Sequence, residues 1–471
     1  MMGGRVEPPE CPPPPWPRRR RWPRPAGFTV TPGPTRLVLV VTLMGVMAGT
    51  AWSADTAIDG RISFRGLFSA DDGPQSPTVG IAFLETDARA EDLTSRGLRL
   101  VLDGTFVLDG TQANERRFGA TESLQQTRQL YLELPGVKGK LDVALGRRLI
   151  AEAGNAWVDG IDAEMHVSKQ LSVGVFGGLR PDPIDYSPTV EAQAAGLYTH
   201  YTTSTVDAAV GYSAVFRGGL DRQVGFNRIH VRATDELALS SYMVVDFLDN
   251  PQITTLLASV DYTPIESLNL TLNISRYSLE RYRDQTIYRN VIEPNQVLLL
   301  GNEILELVYN RARLSASLRF WERFFHYQMA EFKVRSQDGA EGWAYTIGLR
   351  NESVWGTGVE ADVRATVRDN FASDTFLLGL VFQYDVRPGV TVAGRLTLFD
   401  GRTLDRDSER SRAFDEAQRV VLFGGTGTWR ASQHHHLDVN YDGIYEAELQ
   451  DARNQENLLV HTAMLRYSFL F

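Results

Sequence analysis

The chain has 471 residues, a formal net charge of −10, 43% apolar residues and 41 glycines. No run of about twenty apolar residues follows the N-terminal region, which excludes a bundle of membrane-spanning helices. The single cysteine, Cys11, lies near the N-terminus, so the rest of the chain has no disulfide or thiolate metal site, and the acidic balance disfavours a nucleic-acid surface.

Residues 1–53 read as a leader. Pro12 to Pro15 and Arg18 to Arg21 precede Arg36, an apolar run from Leu37 to Ala48, and small residues at Ala48, Gly49, Thr50, Ala51, Ser53 and Ala54. A basic region, about a dozen apolar residues and a small-residue site predict a secretory signal peptide, removed after Ser53 or Ala51. Its loss leaves 41 basic against 56 acidic side chains and residues 54–471 as one domain.

From Ile58 onward the sequence repeats a run of about ten alternating residues followed by a turn. Leu98, Leu100, Leu102, Gly104, Phe106 and Leu108 alternate with Arg99, Val101, Asp103, Thr105 and Val107. Runs centred on Val175, Leu270, Ala316, Val363 and Val439 behave in the same way. One set in each run is continuously apolar. The other is too polar for the inside of a sandwich and suits a water-filled lumen. Segments of helical period are nearly absent, Ser408 to Gln418 and Tyr445 to Asn454 being the weak candidates. An antiparallel sheet of this length closes or splits to avoid exposed edges.

Turn lengths alternate as well. Arg180 to Thr189, Tyr282 to Asn302, Gly401 to Glu416 and Glu446 to Asn457 read as long connections. Ser168 to Gln170, Thr202 to Thr205, Thr234 to Glu236, Thr263 to Glu266, Asp385 to Gly389 and Arg430 to Gln433 read as short ones. Between Ile304 and Arg335, Asn310 and Arg323 compete as turn positions, and the alternation of loop lengths demands two long strands there. The count is about 22 strands, with about 18 or 20 as alternatives.

The stretch Leu130 to Arg148, with Pro135-Gly136 and the closing Gly146-Arg147-Arg148, resembles a porin hairpin. That resemblance implies a periplasmic turn near Gly139, an inward fold of Leu149 to Trp157, and a new strand from Trp157.

Arginine outnumbers lysine 44 to 4. Arg99, Arg148, Arg228, His230, Arg232, Arg313, Arg319, Glu360, Asp362, Arg364, Arg395 and Arg466 fall on the polar parity and are expected to line the lumen. Asp103, Glu133, Asp142, Asp246, Asp438 and Asp442 share that face. Opposed basic and acidic walls screen solutes by charge. His434-His435-His436 cannot converge three ligands from a strand, because successive side chains point to opposite faces. It reads as an interfacial polar cluster rather than a metal site. Tyr and Trp near run ends, such as Trp157, Trp321, Trp355 and Trp429, suit interfacial girdles.

The last strand alternates Leu465, Tyr467, Phe469 and Phe471 against Arg466 and Ser468. An aromatic-rich strand ending in Phe resembles the terminal strand of bacterial outer-membrane β-barrel proteins. The resemblance implies outer-membrane lipid and the barrel-assembly machinery as partners, with those four residues as the assembly signal. The expected fold is all-β: a single transmembrane antiparallel up-and-down barrel without plug or periplasmic domain. No cofactor is expected, and no Gly-x-Ser-x-Gly, phosphate-loop or His-Glu-x-x-His motif points to an enzyme. A porin-like channel for polar or charged solutes is the leading reading. The alternatives are a polysaccharide-export barrel with periplasmic export components as partners, and a closed structural or adhesion barrel.

Overall fold

The computed structural model describes residues 57–71, 79–110, 123–137, 139–182, 186–247, 251–278, 308–336, 338–370, 373–403, 417–447 and 458–471. The expected leader and the hearts of the longest expected loops lie outside the described residues. Among the described residues twenty-two strands follow one another. The first eight are β1 (Ala57–Asp71), β2 (Val79–Glu91), β3 (Arg99–Asp109), β4 (Ser123–Val137), β5 (Leu141–Ile150), β6 (Ala156–His166), β7 (Leu171–Leu179) and β8 (Gln193–Thr202). Next come β9 (Val206–Phe216), β10 (Leu220–Arg232), β11 (Leu237–Asp246), β12 (Gln252–Ile265), β13 (Leu268–Ser278), β14 (Val308–Trp321) and β15 (Phe324–Arg335). The ring ends with β16 (Glu341–Asn351), β17 (Val359–Asp369), β18 (Ser373–Arg387), β19 (Val390–Thr403), β20 (Ala417–Arg430), β21 (His435–Ala447) and β22 (Leu458–Leu470).

Each strand pairs antiparallel with the next, and β1 pairs with β22, so the 22-stranded sheet closes on itself. Closure leaves no unpaired edge, the condition for a sheet to sit in lipid. At the seam Phe64 faces Tyr467 and Ser63 faces Ser468, whose hydroxyls are 2.8 Å apart. Gly60 and Phe471 exchange both backbone hydrogen bonds, at 3.0 and 3.1 Å.

Period-two alternation sets the two faces of the wall. Leu145, Ile161, Leu197, Val210 and Leu314 point outward and are 52–58% exposed, and Phe332, Val363, Phe382 and Leu465 are exposed to a lesser degree. A soluble sheet would cover such a face; here it runs round the ring as an apolar belt. Among the described residues no domain fills the barrel.

The strand ends locate the turns. Arg323 is the turn position between β14 and β15, and Asn310 lies inside β14, so the span from Ile304 to Arg335 holds two long strands. Several strands outrun the turns read from sequence: β12 reaches Ile265, β18 reaches Arg387 and β19 reaches Thr403. Gln418 and Tyr445, at the margins of the two weak helical candidates, belong to β20 and β21. The backbone ladder keeps polar residues in register past the point where the hydrophobic signal fades.

Candidate functional site in the barrel lumen

The inward positions can be built strand by strand. Asp162 and Val158 on β6 alternate with outward Ile161, and Tyr198 on β8 alternates with outward Leu197. Tyr198 is opposite Gly211 of β9, which is opposite Phe226 of β10, so this row faces the interior. Into it folds a short 3-10 turn, Ala151–Ala153, between β5 and β6. Gly154 follows with φ +75° and Asn155 with φ +62°, the left-handed pair that reverses the chain. A side chain at Gly211 would run into the backbone of Glu152 and Ala153, so the turn lies directly on the β9 wall. Ile150, Ala153, Val158, Phe176 and Tyr198 form the buried apolar cluster that pins it there. Hydrophobic burial thus concentrates inside the ring, at one place on the wall.

Beneath the turn sits a charged network. Arg148 lies 2.9 Å from Asp162 and 3.7 Å from Glu133, and its guanidinium covers the Tyr131 ring at 5.2 Å. Tyr198 donates its hydroxyl to Asp162 at 3.1 Å. Arg147 takes the other side of the wall. It pairs with outward Asp159 through two hydrogen bonds of 2.5 Å, and also donates to the carbonyls of Thr127 (2.8 Å) and Tyr186. Tyr186 stands edge-on to outward Trp157, ring centroids 5.1 Å apart. The connection between β7 and β8 therefore shields an ion pair that would otherwise face lipid.

Every lumen candidate named from sequence occupies the inward parity, but they are spread round the ring. Arg99 lies 3.9 Å from Glu133, Arg228 3.4 Å from Asp207, and Arg466 3.6 Å from Glu85. His230 is opposite Asp207, with Arg232 one rung beyond it. Arg395 pairs with Asp442, and Arg350 holds Glu360 at 2.7 Å. Asp362 accepts from the Tyr327 hydroxyl at 2.9 Å. Arg319 covers the Phe325 ring at 4.6 Å. Arg313 and Arg364 line one pocket, together with Glu331 and Arg368. Glu331 gathers Arg313 (3.2 Å), Lys333 (3.2 Å) and Arg311 (3.7 Å). Sequence reasoning passed over Glu331, Arg311, Lys333, Arg368, Tyr198 and Asp162. Their alternation within β6, β8, β14, β15 and β17 is visible in the sequence, but convergence depends on register between strands.

The charges sort by wall. β4 to β9 contribute Glu133, Asp142, Asp162, Glu164 and Asp207 with Arg148 set among them. β14 to β17 contribute Arg311, Arg313, Arg319, Lys333, Arg350, Arg364 and Arg368, which outnumber their carboxylates Glu331, Glu360 and Asp362. β5 and β16 are half the ring apart.

An apolar belt outside, a closed backbone ladder and charged rungs inside leave one architecture. It is a membrane-spanning β-barrel.

No family model matches the sequence, and no curated protein matches it. Among solved structures it is similar to Acinetobacter baumannii OccAB2, with 10% identity, a TM-score of 0.45, and 88% of this chain and 98% of that one covered. It is also similar to Pseudomonas aeruginosa OccK9 (OpdG), at 10% identity and TM-score 0.44, and OccK5 (OpdH), at 9% and 0.43, with the same coverages of 88% and 98%.

At the rim of β21 and β22 the histidine run divides as strand geometry requires. His435 faces outward, its Nδ1 2.7 Å from the Tyr467 hydroxyl and its ring stacked on that tyrosine. His434 Nδ1 donates to the Leu470 carbonyl at 2.9 Å, and His436 takes the inward parity opposite Ser468. The three rings therefore do not share a focus.

Proposed function

We propose that the protein is a bacterial outer-membrane channel that passes polar and charged solutes through a charge-lined lumen. The observation that carries this reading is the sorting of side chains across one closed wall, apolar outward and charged inward, over 22 strands. Strands about 4.8 Å apart and tilted by about 40° set a backbone radius of roughly 20 Å for such a ring. Inward side chains and the turn at Ala151–Ala153 narrow that bore without spanning it. Carboxylates on β4 to β9 face cations on β14 to β17 across half the ring, so a solute in transit experiences a transverse field. Arg148 and Asp162 hold the base of the inward turn, which narrows the path beside the acidic wall. The reading assigns the protein no catalytic step.

Leu465, Tyr467, Phe469 and Phe471 support a second part of the proposal, that the barrel-assembly machinery reads β22. All four lie on its outward face, in contact with lipid once the barrel is inserted. The channel reading is tested by the solute flux of proteoliposomes carrying the folded protein. Entry of small charged and polar solutes is expected, and liposomes that swell no faster than protein-free ones contradict it.

A further inference from the structure

The basic wall holds a depression of about 440 Å³, within the range of about 300–1,000 Å³ typical of small-molecule sites. Its floor exists because β16 places small residues inward there, Ala344 and Thr346, with Gly348 the next inward position beyond them. Tyr327 leans across Gly348 to reach Asp362, where any side chain at Gly348 would collide with its ring. On one side of the floor stands Arg313; on the other stand Arg364 and Arg368. Register places Arg313, Glu331, Ala344 and Arg368 in one row and Arg364 four residues away along the same face of β17, with Thr366 between them.

Charge around this floor is unbalanced. The carboxylate Glu331 already serves Arg311, Arg313 and Lys333. Glu360 is held by Arg350, and Asp362 accepts from Tyr327. Among the described residues no carboxylate comes within ion-pair distance of Arg364 or Arg368, and the buried Arg368 Nε has no hydrogen-bond partner. Between the arginine rows lie hydroxyls, Ser315, Thr346 and Thr366, the last two 2.8 Å apart.

We infer that this pocket binds the dianionic phosphate of a phosphorylated sugar or polyol, with Arg364, Arg368 and Arg313 on the phosphate and the hydroxyl row on the carbon skeleton. Two uncommitted guanidinium forks and a third shared one exceed what a single carboxylate balances, and they match a group offering three acceptor oxygens and up to two charges. The site deepens the channel reading only in making the bound solute one in transit; binding itself stands apart from conduction.

Titration calorimetry on the full chain, folded in detergent micelles at low salt, tests the assignment with glucose 6-phosphate, inorganic phosphate, gluconate and glucose. Glucose 6-phosphate is expected to bind at least about tenfold more tightly than gluconate, and glucose to give no heat. Inorganic phosphate should bind more weakly than the ester; equal affinity overturns the sugar part. Gluconate binding as tightly as the ester overturns the dianion part. Arg364→Gln with Arg368→Gln should weaken glucose 6-phosphate by about tenfold or more, and unchanged affinity overturns the site. Arg364→Lys with Arg368→Lys, which keeps the charge and the fold but loses the forks, should weaken it as well. Conductance without phosphate-ester binding removes the site and keeps the channel. Binding without conductance keeps the site and removes the channel.

Discussion

At the scale of single residues, Arg148 holds a buried carboxylate in place. It neutralises Asp162, whose side chain is 2% exposed, and lies within reach of Glu133. Removing it leaves a buried carboxylate with only the Tyr198 hydroxyl for company, so Arg148→Ala should cost about 3 kcal/mol of unfolding free energy. Urea unfolding in micelles measures this, and a loss below about 0.5 kcal/mol contradicts the role. Phe471 is a second such residue, its backbone tied to Gly60 and its ring 6.0 Å from that of Phe469. Phe471→Ser should lower the yield of folded barrel in the outer membrane, seen as less heat-modifiable protein on gels; wild-type levels argue against the assembly role. In the turn between β15 and β16, Asp338 accepts from Arg335 and from the Ala340 amide. The Arg335 contact, first, and the amide hold its carboxyl below the usual carboxylate range. A depressed folded pKa contributes stability that is complete above the unfolded value near 4 and is lost only as pH falls through the lower, folded value. Asp338 should therefore remain ionised at pH 4, where an ordinary aspartate is about half protonated, and an NMR titration centred near 4 contradicts this.

At the scale of elements, the strands were legible because a half-buried wall repeats every two residues, and one face of this wall is apolar along most of its length. The turn between Trp321 and Phe324 was one of two candidates because aromatic residues crowd that end and obscure the polar break. Irregularities were not legible. Arg128 is an extra residue opposite the Asp103–Gly104 step, and it is this bulge that turns its guanidinium onto Asp103, 2.6 Å away. The wall position of Arg147 was equally hidden: sequence separates it from Arg148 by parity alone, and only the fold reveals Tyr186 covering it. The inward turn Ala151–Ala153 followed from a resemblance covering one hairpin, whereas its seat on Gly211 and Phe226 depends on β9 and β10, some sixty residues on in sequence. If that turn narrows the bore, Gly211→Leu, which displaces Glu152 and Ala153 from the wall, should change single-channel conductance. A trace identical to that of the parent protein argues against the constriction.

At the scale of the whole molecule, closure and charge sorting were readable as a pattern, but the meeting of particular charges was not. The row from Arg313 through Glu331 to Arg368 spans four strands, and its members are neighbours only because the ladder fixes their register. The acidic and basic walls likewise exist only once β5 and β16 stand half a ring apart. The account's central claim is that this closed wall encloses a conducting, charge-lined lumen. Its most direct test is the current through a planar bilayer after insertion of the purified, folded protein. Stepwise conductance increments, with an ion selectivity that weakens as salt rises toward about 1 M and screening lengths shrink to about 3 Å, are the predicted result. Folded barrel that inserts into the bilayer and passes no current would contradict it.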